Sequence, residues 1–180
     1  MKKSEVEHIV RAAAKICDDN EFIIIGSQSL HGKYPNLADT ILMSQEVDII
    51  AKNRTANTEF LNVIGVDSPF HEENGYYADP VDFNTAVLPK KWKNRLVNLK
   101  IESDVGGAKV YCIEPHDLVI AKLAANREKD RIFIRALLNK KLIEPDLIAS
   151  RISETNVTKE QKAVMTSLFN QLINQVEQFK

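Results

Sequence analysis

The feature that most constrains the fold of this chain is an unbroken apolar run from Phe22 to Ile25. The run is rich in β-branched residues and is followed at once by Gly26. A strand that is apolar on both faces is expected in the interior of a sheet that is covered on both sides. The run therefore predicts a central, buried strand, followed by a turn at Gly26 and a short helix over residues 27–34.

The segment 46–51 predicts a second strand that contains both acidic and apolar residues. Glu46 and Asp48 are two residues apart, so both carboxylates lie on one face of a strand, and Val47 lies on the other. Two adjacent carboxylates repel each other and resist burial. A divalent cation removes that cost, and hard oxygen ligands suit Mg²⁺. The pair therefore predicts a site for Mg²⁺ or Mn²⁺, and the alternative is a solvated strand face.

A third carboxylate is expected from a neighbouring strand over residues 76–83. Pro80 makes this segment an edge strand or a broken one, because proline cannot donate a ladder hydrogen bond. Asp79 and Asp82 are the two candidates, and they lie on opposite faces of a regular strand. Asp82 is preferred because its neighbours are apolar. The alternative is a simple turn, since Asp-Pro pairs commonly form turns.

Gly26 and Ser27 form a candidate phosphate site. They lie between a buried strand and a short helix, where free backbone N–H groups and the helix dipole favour an anion. Glycine allows close approach of a ligand, and the hydroxyls of Ser27 and Ser29 can donate hydrogen bonds. The alternative is an ordinary turn, because glycine often ends a strand.

The rest of the chain predicts an α/β fold, a mixed sheet flanked by helices with a C-terminal helical region. A first helix is expected over 4–18 with Ser4 as its N-cap, and Gly106-Gly107 is expected to join two strands as a hairpin. Pro115 is expected at the start of a helix, the first of the C-terminal helical region. We expect a core over 1–113 and a helical region over 114–180 that packs on it. The other expected elements are a helix at 58–66, a polar loop at 67–75, strands at 95–102 and 109–113, and helices at 116–129, 130–140, 145–153 and 158–178.

Composition limits the function classes. The chain has 180 residues, 27% of them charged, and a net charge of -1. Bulk charge therefore does not attract it to nucleic acid or membrane, and any phosphate-binding surface must be local. Two cysteines do not make a disulfide framework. The N-terminal segment is amphipathic and no apolar run is long enough to span a bilayer, so a cytoplasmic protein is expected.

The motifs together resemble the signature of the DNA-polymerase-β-like nucleotidyltransferase superfamily. That signature is a Gly-Ser or Gly-Gly turn, an acidic-x-acidic strand and a further acidic residue. Segments 85–96 and 112–130 also resemble the DUF6036 proteins, which are similar to the AbiEii-type toxins of abortive-infection systems. The resemblance covers roughly residues 20 to 140. It implies catalytic roles for Glu46, Asp48 and either Asp82 or Asp79.

The resemblance also implies a role for Lys122. It is the only charged residue in the apolar stretch 118–125, and such a lysine either reaches solvent or meets a partner. By resemblance it contacts a nucleotide phosphate, with Arg127 as a second nucleotide-binding candidate. Alternatively, Arg127 and Asp130, three residues apart on a helix, pair with each other.

The implied reaction is transfer of a nucleotide from a nucleoside triphosphate to an unknown acceptor, with tRNA, protein and small molecules as candidates. A toxin role with an antitoxin partner follows from the resemblance alone. Two alternatives remain open. One is an inactive nucleotidyltransferase fold that serves as a binding module or antitoxin, and the other is a helical interaction surface over 158–178.

Overall fold

A computed structural model describes residues 1–37, 41–101 and 107–178. Within these residues the strands form one mixed sheet in the order β3-β2-β1-β5-β4. β1 is antiparallel to β2 and parallel to β5, β2 is parallel to β3, and β4 is antiparallel to β5. The strands are β1 Glu21–Ile24, β2 Glu46–Ala51, β3 Tyr77–Pro80, β4 Val97–Leu99 and β5 Lys109–Cys112.

Helices flank the sheet and make up the C-terminal region, which confirms the predicted α/β class. The α-helices are α1 Lys3–Cys17, α2 Pro69–Asn74, α3 Pro115–Ala125, α4 Glu128–Asn139, α5 Pro145–Glu154 and α6 Lys159–Gln178. Short 3₁₀ helices cover Ser27–Gly32, Thr55–Ile64 and Trp92–Arg95.

The apolar stripe of α1 and one face of the sheet form a shared core. Burial of each large aliphatic side chain there contributes about 1.5–3 kcal/mol. Because strand residues alternate, the neighbours of these core residues on β2 must face the other side of the sheet. The core residues that fix this orientation are Val6, Ile9, Val10 and Ala13 of α1, Phe22 and Ile24 of β1, and Val47, Ile49 and Ala51 of β2.

The sheet order confirms two expectations about individual strands. β1 has a neighbour on each side, β2 and β5, as expected for a strand that is apolar on both faces. β3 lies at the end of the described sheet, in agreement with the expectation from Pro80.

Other expectations need correction. The predicted loop at 67–75 is largely the helix α2, in which Ser68 Oγ accepts the His71 N–H at 3.2 Å and Gly75 ends the helix with φ 74°. The N-cap of α1 is Lys2 rather than Ser4. The Glu5 carboxylate accepts the Lys2 N–H at 2.7 Å, so a residue of the helix itself satisfies one of the N–H groups at its N-terminus.

Smaller differences concern boundaries. The helix expected at 58–66 is a 3₁₀ helix that begins at Thr55. The strand expected at 95–102 is shortened to Val97–Leu99, because Arg95 still belongs to a 3₁₀ helix. Residues 102–106, which include Gly106 of the predicted hairpin turn, lie outside the described residues. Gly107 has φ 76°, a value that suits a glycine turn.

The chain divides into two compact units. The first contains Met1–Thr85 and Arg95–Glu114, and the second contains Ala86–Asn94 and Pro115–Lys180. In the second unit, Arg151 pairs with the buried Asp117 at 3.4 Å, which ties α5 to α3. His116 Nε2 accepts the backbone N–H of Glu144 at 2.9 Å. Packing of the helical region on the core stays a prediction.

Membrane insertion can be tested against helix length and polarity. Within the part of the chain that the structure describes, no helix combines the length and the apolar character needed to cross a bilayer.

A buried carboxylate organises the first unit at one end of β1. Asp19 accepts the backbone N–H groups of Glu21 at 3.0 Å, Asn53 at 2.8 Å and Arg54 at 2.8 Å, and the Asn53 side-chain amide at 3.0 Å. Burial alone would raise the pKa of Asp19, but these four donors outweigh it and lower the pKa. Asp19 thus ties the start of β1 to the segment after β2.

We predict that Asp19→Asn lowers the free energy of unfolding at neutral pH by roughly 1–3 kcal/mol, because an amide cannot accept all four hydrogen bonds. The folded-state pKa is depressed, so the carboxylate's contribution is present above the unfolded pKa of about 3.9 and is lost as pH falls through the folded pKa. Urea unfolding of both proteins across acidic pH tests this. A difference in stability that does not shrink below pH about 4 would contradict it.

Candidate functional site

The turn after β1 packs directly against Asp48. The backbone N–H of Ile25 donates to the Asp48 carbonyl at 3.0 Å. A Cβ atom placed on Gly26 would lie 1.6 Å from Asp48 Oδ2 and 2.5 Å from its Cγ. Gly26 has φ -80°, an angle open to any residue. A side chain at position 26 would therefore have to displace the Asp48 carboxylate.

The register of β2 and β3 adds a third carboxylate. In this parallel pair Asp48 lies opposite Asp79, and Glu46 lies opposite Tyr77. Paired residues of neighbouring strands share a face of the sheet, so Glu46, Asp48 and Asp79 lie together on the face opposite the α1 core. Burial, and then the charge of Glu46, raise the pKa of Asp79. We call these three residues the carboxylate cluster.

Tyr77 belongs to the same face and was not identified from the sequence. Its hydroxyl donates to Glu46 Oε2 at 3.1 Å. Burial raises the pKa of Tyr77 to about 12, helped by that hydrogen bond and by the charges of Glu46, Asp79 and Asp48. Its position two residues before Asp79 on a strand is the signal that would have found it.

Asp82 is placed differently. It lies beyond the end of β3 and is exposed. Its Oδ1 accepts the backbone N–H of Asn84 at 2.6 Å, and its own N–H donates to Thr85 Oγ1 at 3.1 Å. These bonds are those of a local turn. The geometry thus puts Asp79 on the carboxylate face instead of Asp82, which the sequence favoured.

The two candidate serines differ in exposure. Ser27 begins the 3₁₀ helix and is half-buried. Ser29 is 1% exposed, and its Oγ has no hydrogen-bond partner among the described residues. Between them, Gln28 is fully buried and donates to the Ser44 carbonyl at 3.0 Å. A buried hydroxyl without a partner is uncommon, and here it lies three residues from Gly26.

The donor set of the carboxylate cluster fits a hard divalent cation, because carboxylate oxygens are the ligands that Mg²⁺ and Mn²⁺ favour. In residues 1–37, 41–101 and 107–178, however, no three His, Cys, Asp or Glu side chains are grouped closely enough to hold an ion. Metal binding by Glu46 and Asp48 stays a prediction.

Comparison with known families identifies the family of this chain. Residues 4–180 match the model of a family described as a nucleotidyltransferase of unknown function, DUF6036. The chain belongs to the DUF6036 family. No curated protein and no solved structure matches it significantly. The resemblance inferred from the sequence is confirmed, and it extends over nearly the whole chain.

In this DUF6036 protein the two basic candidates lie in the second unit. Lys122 Nζ is 3.0 Å from Asp130 Oδ1 and lies over the Phe133 ring, and Arg127 Nε is 2.7 Å from Asp130 Oδ2. Asp130 is fully buried; burial would raise its pKa, but the two cations lower it. The Arg127–Asp130 pairing is confirmed, and nucleotide contact by Lys122 and Arg127 stays a prediction.

We predict that Gly26→Ala displaces the Asp48 carboxylate while the backbone turn is retained. The cost in unfolding free energy is about 1–3 kcal/mol, as is typical when a methyl group enters a filled space. Thermal or urea unfolding measures it.

The matched test is the same change in an Asp48→Ala background. In that background the carboxylate is gone, and the nearest atom of residue 48 is its Cβ, 3.2 Å from the new methyl group. Gly26→Ala should then cost much less, giving a clear coupling energy in the double-mutant cycle. Equal costs in both backgrounds would contradict the contact.

Proposed function

We propose that this protein is a metal-dependent nucleotidyltransferase that moves a nucleoside monophosphate from a nucleoside triphosphate to an acceptor hydroxyl. The observation that carries the proposal is the carboxylate cluster, with Glu46, Asp48 and Asp79 on one face of two adjacent strands. The Gly26 turn packed against Asp48 supports it. So does the description of the family as a nucleotidyltransferase.

Each part of the first unit has a role in this proposal. Glu46 and Asp48 hold Mg²⁺ or Mn²⁺, which, when bound, stabilises negative charge on the attacking and leaving oxygens. The turn at Gly26 and Ser27 receives the triphosphate through backbone N–H groups and the Ser27 hydroxyl, and the neighbouring hydroxyl of Ser29 is a further donor.

Asp79 is the proposed general base. Its position opposite Asp48 in the parallel β2–β3 pair puts its carboxylate on the face where the acceptor hydroxyl would meet the bound nucleotide. The acceptor oxygen forms a bond to the α-phosphorus, the bond from that phosphorus to the pyrophosphate oxygen breaks, and the acceptor proton passes to Asp79. The products are the nucleotidylated acceptor and pyrophosphate.

The acceptor belongs to one of three classes, RNA such as a tRNA end, a protein hydroxyl or a small molecule. The similarity of DUF6036 proteins to AbiEii-type toxins supports a toxin whose activity an antitoxin partner controls, in the cytoplasm. Fold-level similarity of this kind supports a class of reaction better than a particular substrate.

A second candidate is a nucleotidyltransferase fold that binds nucleotides or a partner protein without chemistry, for example as an antitoxin. One observation favours it: Lys122 and Arg127, the two basic candidates for phosphate contact, are both paired with the buried Asp130. The two candidates differ in whether nucleotide binding needs a divalent cation.

We predict that the purified protein binds a nucleoside triphosphate only with Mg²⁺ or Mn²⁺, because the triphosphate and the carboxylate cluster carry charges of the same sign. Calorimetry with each of the four triphosphates, in the presence of metal or of chelator, measures this. Binding of equal strength in chelator would favour the non-catalytic candidate.

We predict that Asp48→Ala and Asp79→Asn each lower nucleotidyl transfer by about 100-fold or more, since removal of a metal carboxylate or a general base commonly has effects of this size. Asp82→Asn should retain wild-type transfer, because Asp82 lies in a turn beyond β3. Glu73→Gln, on the exposed surface of α2, is the control for removal of an acidic charge. Labelled triphosphate with bulk RNA and with protein as acceptors gives the rates.

Comparison of Asp79→Asn with Asp82→Asn decides which aspartate is the third carboxylate. Loss of transfer in Asp82→Asn, with full transfer in Asp79→Asn, would reverse the assignment of the third carboxylate. Wild-type transfer by Asp48→Ala would remove the proposed active site altogether.

A further inference from the structure

Tyr77 connects the carboxylate cluster to α2. On one side its hydroxyl donates to Glu46 Oε2 at 3.1 Å, from the position opposite Glu46 in the parallel β2–β3 pair. A carboxylate has about four acceptor sites on its two oxygens. This hydrogen bond therefore orients Glu46 and leaves most of its acceptor capacity for a cation.

The ring of Tyr77 is held from the other side by His71. The two ring centroids are 4.6 Å apart, with planes tilted by 58°. His71 itself is held by two hydrogen bonds. Its Nδ1 accepts the Asp67 N–H at 3.1 Å, and its backbone N–H donates to Ser68 Oγ at 3.2 Å. The phenol is thus placed by a helix as well as by its own strand.

We infer that Tyr77 is a positioning residue, one that holds Glu46 in the orientation in which it binds the metal ion. The inference rests on the proposed function, since it concerns the same site. Its physical basis is that ligating carboxylates are themselves hydrogen-bonded, and loss of such an outer partner commonly lowers metal affinity by about 10- to 100-fold.

The chain offers a closely matched control in the preceding residue. Tyr76 is also half-buried and also uses its hydroxyl, which is hydrogen bonded to His8 Nδ1 at 2.8 Å. Its ring packs beside Phe70 and against the α1 core, on the face opposite the carboxylate cluster. Tyr76→Phe therefore removes the same group, with a similar hydrogen bond, and leaves Glu46 untouched.

The experiment titrates Mn²⁺ alone into the full-length protein and follows free Mn²⁺ by electron paramagnetic resonance. Tyr77→Phe should raise the Kd for Mn²⁺ by about tenfold or more, and Tyr76→Phe should leave it at the wild-type value. A second readout is the Mn²⁺ dependence of nucleotidyl transfer. Saturating Mn²⁺ should restore most of the rate of Tyr77→Phe, because the hydroxyl acts through metal binding.

The outcomes separate this inference from the proposed function. Wild-type Mn²⁺ affinity in Tyr77→Phe overturns the inference, whereas transfer by the wild-type protein would still uphold the proposed function. No Mn²⁺ binding and no transfer by the wild-type protein would overturn both. If circular dichroism shows Tyr77→Phe unfolded, His71→Leu tests the same point. It keeps the hydroxyl but removes the neighbouring ring, so weaker Mn²⁺ binding supports the inference and unchanged binding overturns it.

Discussion

The hydrogen bond from the Ile25 N–H to the Asp48 carbonyl is the contact on which the site depends. It continues the antiparallel β1–β2 pair to the last residue before Gly26, so the turn cannot move independently of the acidic strand. The α1 core fixes which face of β2 is buried and thereby turns Glu46 and Asp48 to the opposite side. Packing on one face of the sheet thus determines the chemistry available on the other.

The parts of this arrangement that the sequence predicts are those with local signals. The apolar run before Gly26 identifies β1, and the alternation of Glu46 and Asp48 with apolar residues identifies their common face. The choice between Asp79 and Asp82 depends on the register of β3 against β2, which no local pattern encodes. The helix α2 had local signals that its polar composition obscured, namely Ser68 before a proline and a terminal Gly75. Tyr77 has one local signal, its position two residues before Asp79, but its pairing with Glu46 depends on the same register.

Two carboxylates that are removed from solvent, Asp130 and Asp79, differ in the charge of their neighbours. Asp130 is fully buried with two cations beside it, and its pKa is lowered, so its negative charge is compensated within the fold. Asp79 is half-buried with Glu46 as its charged neighbour, and its pKa is raised. A group of like charges held close together destabilises the fold that contains it. Its presence on a sheet whose opposite face is so regularly packed is typical of a functional site, where residues serve binding at the expense of stability.

Pro80 has a consequence beyond ending β3. The N–H groups of Tyr77 and Val81 point inward, to the carbonyls of Gln45 and Ile49. Because alternate residues of a strand donate in opposite directions, the position of Pro80 faces the outer edge, where its missing N–H costs the sheet no hydrogen bond. An edge that lacks this donor is a poor template for pairing with a strand from another molecule. The strand that carries Asp79 is therefore protected against edge-to-edge aggregation by the residue that follows it.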